Sequence, residues 1–180
     1  MAADPPVPLV VDMDGTLFSS DSTALMTARL RARRPHRLLG LWRARRSGDK
    51  AEMKLYLYRH GAVPVQRFTP YAPLQEWLRT QEGTRPIFLA TGAPQALADE
   101  ASHASGQFAG VFGTQPGHNN TGARKAARLV ERFGERGFDY VGNSEADLAV
   151  WRCARRAIVC NAPVGLAERA AELCDIELVL

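Results

Sequence analysis

No apolar run in this chain approaches the ~20 residues that a helix needs to cross a bilayer. The opening Met1-Ala2-Ala3-Asp4-Pro5-Pro6 lacks the basic start and apolar stretch of a secretory leader. Cysteine is scarce. Cys153, Cys160 and Cys174 stand late in the chain without a CxxC spacing, which excludes a disulfide framework and gives no zinc signature. His36, His60, His103 and His118 are scattered and form no metal-binding pattern. Aromatic residues do not interleave with basic ones, so no nucleic-acid partner is expected. Internal repeats are lacking as well. Together these absences lead to the expectation of a cytoplasmic protein with reduced thiols.

What is present suits a globular fold. At 180 residues the chain fits a single domain over 1–180 and can bury a core without cross-links. The net charge of +4 is modest but uneven: eight arginines fall between Arg29 and Arg46, among Leu30, Leu38, Leu39, Leu41 and Trp42. Such a cluster steers anions, touches acidic lipid at the inner membrane surface or meets a partner; it also reads as a solvated helix face.

Apolar residues 7–11, flanked by proline and glycine, read as a buried strand. Residues 19–59 are helical in pattern, capped at Ser20 or Asp21 and broken at Pro35 and at Ser47-Gly48-Asp49. Leu74–Leu78 is a further helical fragment. From residue 85 strands and helices alternate: strands at 86–90, 108–112, 138–141, 157–160 and 176–180, and helices at 94–102, 122–133, 145–152 and 168–173. Continuous apolar strands alternating with helices predict an α/β fold, a doubly wound, Rossmann-like parallel sheet covered on both faces. Ligands in such folds gather at the carboxyl ends of the strands.

Polar residues stand where several of these strands stop: Asp12, Asp14, Gly15 and Thr16 after the first, Thr91 and Gly92 after the second, and Gly142-Asn143-Ser144 with Asp147 after the fourth. Two carboxylates this close favour a nearby cation, and a magnesium ion suits oxygen ligands plus phosphate. With the phosphate neutralised, Asp12 is placed to attack phosphorus, and Asp14 to protonate the leaving oxygen and later take a proton from water. Gly15 permits a tight turn beside a phosphate, with Thr16 and Gly92 completing the phosphate-facing loops, and the Thr91 hydroxyl is a further donor.

Asp12-x-Asp14-Gly15-Thr16-Leu17, a strand-terminal Thr91 and Gly142-Asn143-x-x-x-Asp147 resemble the haloacid dehalogenase (HAD) superfamily over the whole chain. The resemblance implies a HAD-type core with a small helical cap inserted after the first strand, at about 18–72. It implies Asp12 as nucleophile, Asp14 as general acid/base, Thr91 as phosphate binder, and magnesium held by Asp12, the Asp14 carbonyl and the last motif. Residues 131–144, 146–151 and 155–159 are similar to the HAD domain fused ahead of UbiA-type membrane prenyltransferases. That implies a phosphorylated small-molecule or prenyl-linked substrate and a membrane prenyltransferase as partner.

Two positions depart from the pattern. Asn143 stands where an acid is usual, so magnesium would meet one charge fewer, leaving Asp147 either as an ion ligand or as a carboxylate at a helix N-terminus. Thr121 stands where a lysine is expected; Lys125, one turn later, either reaches back into the crevice or is a solvated lysine beside Arg124 and Arg128. The sequence therefore supports a phosphohydrolase and, as the alternative, a weakened HAD-like module that binds or regulates a partner. A response-regulator receiver is disfavoured, because Gly15-Thr16 and a long insertion follow the acidic pair directly.

Overall fold

The computed structural model describes residues 6–180, so the stretch 1–5 read above for a leader lies outside it. Six strands form one sheet in the order β3-β2-β1-β4-β5-β6, every pair parallel. They are β1 (Leu9–Val11), β2 (Ile87–Pro94), β3 (Gly110–Thr114), β4 (Asp139–Gly142), β5 (Arg156–Val159) and β6 (Asp175–Val179). Side chains alternate across each strand and so feed two cores. Leu9, Val11, Leu89, Val141 and Ile158 enter one; Val10, Ala90, Tyr140, Ala157 and Val159 enter the other. Both cores are covered by helices, which makes the sheet doubly wound as expected.

The second core is closed by α6 (Gly122–Phe133), α7 (Leu148–Trp151) and α8 (Leu166–Ala171). On α6, Ala126 and Leu129 are buried, and Phe133 meets Phe88, Phe112 and Phe138. The first core takes α4 (Ala72–Gln81) and α5 (Gln95–Ser105).

Between β1 and α4 the chain makes α1 (Ser22–Arg33), α2 (Leu38–Arg46) and α3 (Lys50–Gly61). Asp21 caps α1 by accepting from Ala24 N at 2.7 Å, and Asp49 caps α3 by accepting from Ala51 N and Glu52 N. The excursion closes on itself: Ser19 N donates to Thr69 O at 2.9 Å, and Tyr71 N to Leu17 O at 3.0 Å. Helix α2 buries only Ala44, and leaves Leu39 57% and Trp42 51% exposed.

Two differences from the sequence reading bear on the strand-end crevice. The second strand does not stop at Ala90 but runs to Pro94, with its register broken between those residues. Side chains replace the missing ladder bonds there: Asn120 Nδ2 donates to Thr91 O and Phe112 O, and Thr114 Oγ1 to Gly92 O. Thr91 and Gly92 thus sit in the bulged end of a strand rather than in a loop after it. The single helix expected at 145–152 is a 3-10 turn over Glu145–Asp147 followed by the short α7. A reciprocal cap between Ser144 and Asp147 tightens that first turn.

Candidate active site

The β1 and β4 strands are neighbours, and the chain leaves them in opposite directions along the sheet, β2 lying to one side and β5 to the other. Asp12 follows β1 directly. Its backbone N–H still bonds Val141 O at 3.0 Å, and the residue is 7% exposed. Lys125, from the first turns of α6, donates from Nζ to Asp12 Oδ1 at 2.7 Å and to Tyr140 Oη at 2.7 Å, and lies 3.5 Å from Asp147 Oδ1. It is 4% exposed. Of the two readings of Lys125, the structure therefore has the one that reaches back.

One buried ammonium thus faces two buried carboxylates. Burial raises the Asp12 pKa to about 7, Lys125 pulling it down and the charges of Asp147 and Asp14 pushing it up. Burial works against the Lys125 charge too, but the carboxylates of Asp12 and Asp147 outweigh it and hold its pKa above the ordinary value.

Asp147 is committed on both oxygens. Oδ1 accepts from Tyr140 Oη at 2.7 Å; Oδ2 accepts from Asn143 N, Ser144 N and Ser144 Oγ at 3.1, 3.0 and 2.8 Å. It closes the turn after β4 and lies within 3.5 Å of the Lys125 ammonium. Asn143 lies in front of it. Thr16 Oγ1 donates to Asn143 Oδ1 at 3.2 Å and is 3.4 Å from Asp12 Oδ2. Gly15 has φ +73°, and a Cβ there would come within 2.1 Å of the Asn143 amide. The backbone angle therefore calls for glycine, and a side chain there would also displace the Asn143 amide.

Asp14 is half-buried. Its oxygens accept from Ser22 N and Ser22 Oγ, both at 2.8 Å, which ties it to the start of α1. Burial lifts its pKa to about 6, with the Ser22 hydrogen bonds opposing. Thr91 is fully buried and its hydroxyl accepts from Ala93 N at 3.0 Å, holding the bulge of β2 in shape.

The sequence reading missed Lys54, on α3. Its Nζ donates to Gly92 O at 2.7 Å and to Asn119 Oδ1 at 2.9 Å, so a cation from the helical excursion reaches the strand ends. Burial lowers its pKa to about 8, with Asp14 the largest opposing influence. Gly92 makes the approach possible, since a Cβ there would lie 2.9 Å from Lys54 Nζ and 2.5 Å from Thr121 Cγ2. Tyr140 was read only as part of the strand at 138–141, and Asn119-Asn120-Thr121 only as a turn and helix cap. A lysine within a helix pattern carries no local sign of where its tip goes, and Lys54 had none.

The donor set suits a hard cation only in mixed form. Among the described residues no group of three or more His, Cys, Asp and Glu side chains gathers as a metal cage. Asp12 Oδ2 has only the weak Thr16 contact, Asn143 offers an amide oxygen, and the net negative charge of the buried cluster is what a divalent ion would relieve. Few protein ligands and a phosphate are the usual surroundings of magnesium, so the residues fit it.

No family model matches the chain. An uncharacterized protein of Sinorhizobium fredii, y4nM, is 31% identical over 160 residues, which is 87% of this chain and 30% of the relative. The chain thus spans less than a third of the length of the curated relative it matches. Among solved structures, a HAD family hydrolase, t0658, of Salmonella enterica serovar Typhi superposes with a TM-score of 0.67 at 15% identity, over 98% of this chain and 67% of the other. A phosphoserine phosphatase caught as a phospho-aspartyl intermediate analogue gives 0.62 at 10% identity, over 98% and 94%. A HAD-superfamily hydrolase of subfamily IA from Geobacter sulfurreducens gives 0.57 at 17%, over 91% and 92%. These likenesses are of fold: the sheet order and its flanking helices are those of the HAD type.

Proposed function

We propose that the chain is a magnesium-dependent phosphomonoester hydrolase of the HAD type, working through an aspartyl-phosphate on Asp12. The observation that carries this reading is the buried Asp12–Lys125 pair at 2.7 Å, at the carboxyl end of β1 and backed by Asp147 and Tyr140. Lys125 holds Asp12 in one rotamer and opposes the effect of burial on it, favouring the anionic form that a carboxylate nucleophile needs. Asp12 Oδ2 attacks phosphorus, and the bond from phosphorus to the ester oxygen breaks. Asp14 delivers a proton to that oxygen, so an alcohol leaves. Asp14, now a carboxylate, takes a proton from water as the water oxygen bonds phosphorus. The bond between phosphorus and Asp12 then breaks and phosphate is released.

Asp12, the Asp14 carbonyl and the Asn143 amide oxygen would hold the magnesium ion, with Asp147 keeping the Asn143 loop in place from behind. When bound, the ion neutralises phosphate oxygens and so makes the approach of a carboxylate favourable. Gly15 and Thr16 border the phosphate position, and Thr91 fixes the β2 bulge that brings Gly92 beside it. Lys54 supplies a second cation from the opposite wall, where the helices α1–α3 act as the cap.

The resemblance to prenyltransferase-linked HAD domains extends this reading to a prenyl-linked phosphate and a membrane prenyltransferase partner. Among the described residues no helix is long and apolar enough to cross a membrane. The exposed Leu39 and Trp42 within the arginine cluster instead support peripheral contact with an acidic surface from the cytoplasmic side.

The test is phosphate release from an aryl phosphate with and without magnesium, together with trapping of the phosphoenzyme. Wild type should release phosphate only with magnesium, and Asp12→Asn should lose both release and trapping, a fall of about 10³-fold or more. A folded wild type that neither turns over nor becomes labelled overturns the reading and leaves the binding module that Asn143 favours.

A further inference from the structure

Beside the strand-end crevice, the helices α1, α2 and α3 enclose a cavity of about 670 Å³, within the size range of small-molecule sites. It adjoins the crevice at two points. Lys54, whose ammonium meets Gly92, is in its wall, and so is Thr23, next in the chain to the Ser22 that holds Asp14. Its floor is apolar, made by Leu38, Leu41, Met53 and Leu57. Its rim is cationic. Arg31, Arg45 and Lys50 line it, and among the described residues none of them pairs with a carboxylate. The one acid in the wall, Asp49, is engaged in capping α3.

An apolar floor, a cationic rim and a junction with the Asp14 side of the crevice define what the leaving group looks like. We infer that this cavity receives the alcohol portion of the substrate, and that this portion has an apolar body and carries a second anionic group apart from the phosphate. This rests on the phosphohydrolase reading above for the reacting end, but the recognition of the alcohol portion is a binding property and stands apart from turnover. A small polar monoester would leave Leu38, Leu41, Met53 and Leu57 facing water, and an apolar one without the second anion would leave Arg31, Arg45 and Lys50 uncompensated.

Three monoesters separate these cases: glycerol phosphate, octyl phosphate, and an octyl phosphate carrying a terminal carboxylate. Calorimetric titration of the Asp12→Asn protein with magnesium measures binding, and kcat/KM of the wild type measures turnover. The carboxyoctyl ester is expected to bind about tenfold or more tightly than glycerol phosphate, because a filled apolar pocket discriminates at that level. Arg45→Ala, at an exposed position, should narrow the advantage of carboxyoctyl over octyl phosphate by about threefold, as an exposed charge pair is worth. Leu41→Asp should shrink the advantage of both octyl esters over glycerol phosphate, with circular dichroism confirming its fold. Equal affinity for all three esters overturns the inference whether or not phosphate is released. Ordered affinities without any turnover keep the inference and overturn the hydrolase reading instead.

Discussion

Lys125 is the residue on which the site's charge balance turns. Its ammonium lies against Asp12, Tyr140 and Asp147, all of them buried. Removing one partner from such a cluster leaves uncompensated charge in the interior. Lys125→Met should therefore cost about 3 to 5 kcal/mol of stability in urea unfolding and, because Asp12, the proposed nucleophile, also loses its anchor, about 10²-fold or more in kcat. A variant with full stability and reduced kcat would mean that the two buried carboxylates shed their charge by taking up protons. The sequence carried this residue only halfway. Asp12, Asp14 and Gly15 were readable because a strand end, a carboxylate pair and a glycine are local signals. Lys125 was an open choice because one helical turn separates it from the expected Thr121 position, and only the packing of α6 on β1 and β4 decides where its tip lies.

At the scale of elements, α3 matters most for chemistry, since it carries Lys54 across to Gly92 and Asn119. Because burial lowers the Lys54 pKa from 10.5 to about 8, the folded protein loses this positive charge as pH rises through about 8. Capture of an anionic substrate should weaken over that range. The expected result is a fall in kcat/KM above about pH 8 that moves to higher pH in Lys54→Arg, whose guanidinium stays charged. An unshifted profile would give Lys54 a purely structural part. The same shift acts on stability with the opposite sense: between about 8 and 10.5 the unfolded chain holds more protons than the folded one, so this group's contribution rises with pH there. Helix existence was legible from caps and breaks, as at Asp21, Pro35 and Asp49. The extension of β2 to Pro94 was not, because Asn120, far along the chain, supplies the bonds that keep the bulge extended. The same holds for the shortened α7, where a capping pair overrode a helical pattern.

For the molecule as a whole, the sheet has a functional end and a structural end. At the strand starts, opposite the site, the fully buried Asp139 accepts from Arg85 and Arg155, both at 2.6 Å, and Arg85 continues to Glu177 at 3.1 Å. This ties together the starts of β4 and β5, the middle of β6 and the chain entering β2. Asp139→Ala should lower the unfolding free energy by about 3 to 5 kcal/mol in urea titration while leaving kcat/KM as it was, since the site lies at the other end. None of this was visible in the sequence, where Asp139 reads as an ordinary strand-entry acid; an ion pair between strands has no local spacing. The central place of β1 also bears on the order in which the protein is made. Its two sheet neighbours are β2 and β4, so β1 is made before either strand it pairs with. Until β2 has been made, the residues around Asp12 have no sheet neighbour to join and stay open to chaperones and to mispairing, as long-range parallel contacts impose. Asp12 is likewise made before Lys125, Tyr140 and Asp147, so its surroundings are complete only when three later segments have been added.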